Sequence, residues 1–158
     1  MNKKKKYIVI IAIVLVVIAV IAFITYCVYE KNKNIDLDNI KSEISNSSSY
    51  NSLNMQDITT ENMEDIFSIK SYMVKRVVGE VPLLAVDSSM FVILEVEDEY
   101  KDEVKNALNE YALNLENEWK NYLEKEYELV TSRKIGTKGK YVYMIIADDV
   151  NEVESYIK

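Results

Sequence analysis

The chain has 158 residues and a net charge of −7, with a single cysteine and no histidine. Its acidity disfavours nucleic acid, whose phosphates it would repel. The missing histidine removes the commonest general base and the commonest metal ligand together.

All 26 acidic residues lie beyond residue 29, with 15 of the 19 basic ones, so that part of the chain carries −11. Ahead of it, the stretch Tyr7 to Tyr29 follows four lysines, Lys3 to Lys6, and has no polar side chain from Ile8 to Phe23. At about 1.5 Å per residue, some 21 helical residues cover the roughly 30 Å hydrocarbon core of a bilayer. The run is too long for a cleaved signal peptide, and Ala19 and Ala22 lack the Ala-x-Ala spacing. Tyr26, directly before Cys27, argues against lipoprotein processing. An uncleaved anchor is therefore predicted over 7–29. The lysines before it, against Lys31 and Lys33 after it, put the amino terminus in the cytoplasm and the remainder outside. Membrane lipid is the first expected partner. Ala12, Ala19 and Ala22 also form a small-residue stripe through which two such helices could approach as a homo-oligomer, with Cys27 near the outer interface.

The expected layout is a cytoplasmic basic tail at 1–6, the transmembrane anchor at 7–29, a tether at 30–54 and an extracytoplasmic domain at 55–158. In the tether, Ile35, Leu37, Ile40 and Ile44 line one short helix, and the polar run 46–52 breaks the pattern and leaves the segment mobile. Thr60 is placed to cap a helix over 62–67. Residues 71–81 read as a strand that Pro82 ends. Met90 to Glu97 is a clearer strand, with Met90, Val92, Leu94 and Val96 on one face and Phe91 and Ile93 on the other. A long helix is predicted from Asp98 to about Glu126, its inner stripe being Val104, Leu108, Tyr111, Leu115, Trp119 and Tyr122.

A hairpin follows, Tyr127 to Ile135 and Tyr141 to Ala147, turning around Gly136 and Gly139, whose glycines permit positive φ. Asp149 with Glu152 makes a capping box for a last helix over 150–157. The fold class is α+β, a mixed four-stranded sheet packed by one long amphipathic helix, with an N-terminal transmembrane helix. A strand–helix–strand connection returns to the starting end of a sheet, so the third strand is expected to run parallel to the second.

The tether helix, the strand from Met90 to Glu97, the helix from Asp98, the Gly136/Gly139 hairpin into Tyr141-Val-Tyr143 and the acidic close at Asp148-Asp149 occur in that order. Together they resemble a family of domains of unknown function in surface proteins of Gram-positive bacteria, over about residues 35–158. The resemblance implies an extracytoplasmic domain behind one amino-terminal anchor, and it carries no catalytic residues.

Candidate chemistry is sparse. Ser88-Ser89 and Ser47 to Ser49 have no histidine to activate them and read as solvated loop serines. Two acidic groups remain, Glu95 to Glu103 and Asp148 to Glu154. Each starts a helix, where acids are favoured by the helix dipole, and the expected topology sends them to opposite ends of the sheet. No catalytic residue, metal site or cofactor is assigned. Arg133, Lys134, Lys138 and Lys140 place four positive charges in eight residues. They could contact an anionic partner, such as lipid headgroups or an acidic wall polymer, or neutralise the acids at their own end of the sheet. Two readings follow. One is a membrane-anchored binding or structural module at the cell surface, with a protein or wall-polymer partner outside and no nucleic acid. The other is a carboxylate-dependent hydrolase acting on cell-wall material.

Overall fold

The computed structural model describes residues 3–157. Of the basic tail expected at 1–6, residues 1 and 2 and the four lysine side chains lie outside the described residues, as does the side chain of Lys31. The chain forms two units, Met1–Lys33 and Asn34–Lys158. The first is a single helix, α1 (Lys3–Asn32). Its segment Ile10–Tyr29 has no charged side chain and is exposed along its length, with mean hydropathy 3.1. Twenty residues at 1.5 Å each make about 30 Å, long and apolar enough to cross a membrane. The one hydroxyl in that segment outside the tyrosines is satisfied internally, Thr25 Oγ1 donating to the carbonyls of Ile21 and Ala22 at 3.0 and 2.9 Å.

The second unit begins with α2 (Leu37–Ser45), which Asp36 caps by accepting from the Asn39 backbone N–H. Leu37, Ile40 and Ile44 are buried on one side of it, with Leu37 and Ile44 wholly inaccessible. The expected tether is thus corrected. The same apolar triplet that made a helix makes it amphipathic, and residues 34–54 pack into the compact unit rather than leading to it. Tyr50, from the polar run, is buried edge-on against Phe91 at 5.3 Å.

The sheet has five strands, β1 (Met55–Asp57), β2 (Val74–Pro82), β3 (Met90–Val96), β4 (Lys134–Lys138) and β5 (Tyr141–Ile146), in the order β1-β2-β3-β5-β4. All neighbours are antiparallel. The expected mixed four-stranded sheet is corrected on two counts. A short edge strand at Met55–Asp57 adds a fifth, and β5 turns back between β3 and β4, so that β3 and β4 share a direction without touching. The long helix is also two. α4 (Lys101–Trp119) ends in a turn at 120–122, and α5 (Glu124–Thr131) occupies most of the stretch expected as a strand. α3 (Met63–Phe67) starts after Asn62, whose side chain accepts from Thr59 N–H at 2.7 Å, so Thr60 is not its cap.

Both faces of the sheet are covered. Met90, Val92, Leu94 and Val96 of β3 face α3, α4 and α5, together with Val142, Met144 and Ile146 of β5. Phe91, Ile93, Tyr141, Tyr143 and Ile145 face α2 and α6 (Val150–Tyr156). The split of β3 between faces is as its alternation predicts. Along α4 the inner positions are Val104, Leu108, Ala112 and Trp119, with Tyr111 and Leu115 half-buried. Tyr122 falls past the helix end and is 64% exposed. Asp149 caps α6 through the N–H groups of Asn151 and Glu152 at 3.0 and 3.1 Å. The reciprocal half of the expected capping box is absent, because Glu152 accepts instead from Ser47, Ser49 and Tyr156.

The β4–β5 loop is two residues, Gly139-Lys140. Of these two loop residues Gly139 takes a positive φ, 56°, as a two-residue hairpin loop with glycine first allows. Gly136 lies within β4 and serves another need. A Cβ there would stand 2.4 Å from the Tyr143 hydroxyl oxygen, so the missing side chain makes room for that ring.

Candidate functional site

The four basic residues are dispersed along β4 and its flanks, and each has a partner inside the unit. Arg133 donates to Glu116 Oε2 at 2.7 Å and to the Val130 carbonyl at 2.9 Å. Lys134 pairs with Glu154, whose carboxylate also accepts from the Tyr143 hydroxyl. Lys138 donates to the Ile157 carbonyl at 2.6 Å. Lys140 pairs with Glu95 at 2.7 Å and donates to Asn34. Arg133 and Lys140 are three-quarters or more buried as side chains. The geometry therefore uses all four to neutralise or cap this chain's own groups.

The register puts the two acidic groups at opposite ends of the sheet, since Met90 pairs with Ile146 and Glu95 with Tyr141. Glu95 lies at the carboxyl end of β3, and Glu97 to Glu103 follow it. Asp148 to Glu154 follow the carboxyl end of β5, which runs the other way. Among the described residues no three acidic or thiol side chains converge as a metal-binding group.

Two carboxylates the sequence reading did not single out are instead buried. Glu126 of α5 accepts from both the N–H and the hydroxyl of Ser88, each at 2.8 Å. Ser88 and Ser89 are 1% and 3% exposed, so they are not solvated loop serines. Both bonds fall on Glu126 Oε2, and the pair clamps the β2–β3 loop onto α5. Glu80 of β2 accepts from Ser45 at 2.8 Å beside Tyr50. Burial and then the Glu80 charge push the Tyr50 hydroxyl far above its ordinary pKa, keeping it neutral. Nothing in the sequence marks either acid as buried, since Glu80 falls in the stretch predicted as a strand and Glu126 at the end of the long predicted helix; only the fold turns them inward.

A cleft of about 330 Å³ opens between α3 and α4. Phe67, Ile69, Met73 and Tyr111 make its apolar floor beside the small side chain of Ala107. Phe67 and Tyr111 meet edge to face at 4.8 Å. Glu103 and Glu110 stand on its α4 wall, and Ser68, at φ 60°, is on the other side.

These features define an α+β unit, an antiparallel five-stranded sheet covered on both faces, behind an apolar helix of membrane-spanning length. Residues 47–147 match the model of a domain of unknown function, DUF4358. The chain belongs to that family. The match covers the sheet and α3 to α5, leaving α2 and α6 outside its limits. No curated protein and no solved structure matches the chain.

Proposed function

We propose that this chain is a membrane-anchored binding or structural module, with α1 spanning the cytoplasmic membrane of a Gram-positive cell and Asn34–Lys158 outside. The observation that carries the reading is the α1 segment Ile10–Tyr29, twenty exposed residues with no acidic or basic side chain, directly preceding a compact unit in the chain. An apolar surface of that length in water is costly at about 25 cal/mol per Å², and a bilayer removes the cost. The separated acidic groups, and buried acids already clamped by serines, support a module that binds rather than a carboxylate hydrolase, which needs two carboxyl groups flanking one bond.

The test is surface labelling. Intact cells producing the full chain are treated with a membrane-impermeant amine reagent, and the modified lysines are mapped by mass spectrometry. Labelling of exposed lysines such as Lys70 and Lys75, with Lys3 to Lys6 unmodified, is expected. Labelling of Lys70 and Lys75 only after permeabilisation, or a mature protein beginning at or near Cys27, would overturn the reading.

A further inference from the structure

We propose that the cleft between α3 and α4 binds an extended peptide segment carrying two basic side chains about 10 Å apart, with apolar residues between them. The inference rests on the reading of the compact unit as a binding module and adds the chemistry of its partner. Glu103 and Glu110 are seven residues apart on α4, a rise of about 10.5 Å. In a polyproline II segment, residues three apart fall on the same side of the chain, roughly 9 Å apart, so a Lys-x-x-Lys segment matches the two carboxylates. Between them the floor is apolar and partly aromatic, suited to aliphatic side chains and to the stems of lysines.

The charge of the cleft is uncompensated among the described residues. Among the described residues neither Glu103 nor Glu110 has an ion-pair partner, while Glu116, Glu97 and Glu64 pair with Arg133, Lys75 and Lys70. No lysine or arginine lines the cleft. Asn106, Asn114 and Ser68 lie along it with side chains that make no hydrogen bond among the described residues, and they are free to meet the backbone of an extended segment.

The test uses the full chain in uncharged detergent micelles, titrated calorimetrically with acetyl-Lys-Leu-Leu-Lys-amide and with acetyl-Glu-Leu-Leu-Glu-amide. The basic peptide should bind saturably and the acidic one should not. The double variant E103Q/E110Q should lose roughly three- to tenfold in affinity, the range for two exposed charge pairs, and added salt should weaken wild-type binding. The control D102Q/E118Q changes two exposed acids of α4 outside the cleft and should leave affinity within twofold. Absent binding, equal binding of both peptides, or equal losses in the two double variants would each overturn the proposal. Micelles have no inside or outside, so a failure here is separate from a failure of the labelling experiment.

Discussion

Replacement of Trp119 tests the packing of α4 against the sheet. Trp119 is 5% exposed at the end of α4, within the core that Leu94, Met144 and Val130 share. Its indole Nε1 is buried without a hydrogen-bond partner. Trp119→Ala removes the largest side chain of that face and should cost about 3–5 kcal/mol. Trp119→Phe forfeits part of the ring contact but also removes the unpartnered N–H, whose burial costs about 1–3 kcal/mol. The two terms offset, and the phenylalanine variant should lie within about 1 kcal/mol of wild type by the same estimate. The assay is urea unfolding of the full chain in micelles, followed by far-UV circular dichroism because both variants lack the only tryptophan. The wild-type protein supplies a second readout, a blue-shifted emission that moves red on unfolding. An alanine variant within about 1 kcal/mol of wild type, or a phenylalanine variant as unstable as the alanine one, would refute the reasoning.

Leu37→Ala should destabilise the compact unit by about 2–5 kcal/mol, measured by the same urea curves, because α2 is part of the core; a neutral effect would return residues 34–46 to the role of a tether. Gly136→Ala should cost about 1–3 kcal/mol as the Tyr143 ring is displaced, and Tyr143→Phe in the same chain should recover part of that loss. Stability should fall on the acid side. Hydrogen bonds from Ser49, Tyr156 and Ser47 hold the Glu152 carboxyl below its ordinary 4.5, and Glu154 sits below it too, where burial is outweighed by Lys134 and Tyr143. A depressed folded pKa gives stability that is present above 4.5 and lost as pH drops through the folded value, so the urea midpoint should decline below pH 4.5, and less steeply in Glu152→Gln. On the alkaline side Tyr50 and Tyr143 are raised above 10.0, chiefly by burial. Stability should decline as pH rises above 10 and unfolded tyrosines ionise, with Tyr143→Phe showing a shallower decline.

What the sequence made legible was periodicity. The alternation in Met90–Val96 assigns side chains to two faces correctly, and the Val104–Leu108–Trp119 stripe marks the side of α4 that meets the sheet. What it hid was decided by tertiary contact. Lys120 to Leu123 contain no glycine or proline, yet the helix breaks there, Tyr122 N–H closing a turn on the Trp119 carbonyl at 2.9 Å. Tyr127 and Leu129 alternate like a strand, and Val130 also stands at helical spacing from Tyr127; with Val130 wholly buried, helix prevails. Three residues, Met55–Asp57, are too few to carry a period at all. Among the candidate site residues, the cluster of positive charge was visible, and so was its proximity to acids. The partners were not, because Glu116 and Glu154 approach Arg133 and Lys134 only through the packing of α4 and α6.

The covering of the sheet on both sides has a consequence for how its strands align. In a sheet with one wet face, a slip of one residue turns every apolar side chain into water, and that penalty fixes the alignment. β5 is buried at all six positions and β3 at six of seven, so a slip between them exchanges one apolar residue for another at little cost in solvation. Alignment must then be set by fixed points outside the apolar pattern. The Gly139-Lys140 turn fixes β4 to β5, and Lys140 fixes the start of β5 to Glu95 near the end of β3. Loss of that lysine would be felt less as missing energy than as ambiguity, with neighbouring alignments close enough in stability to coexist.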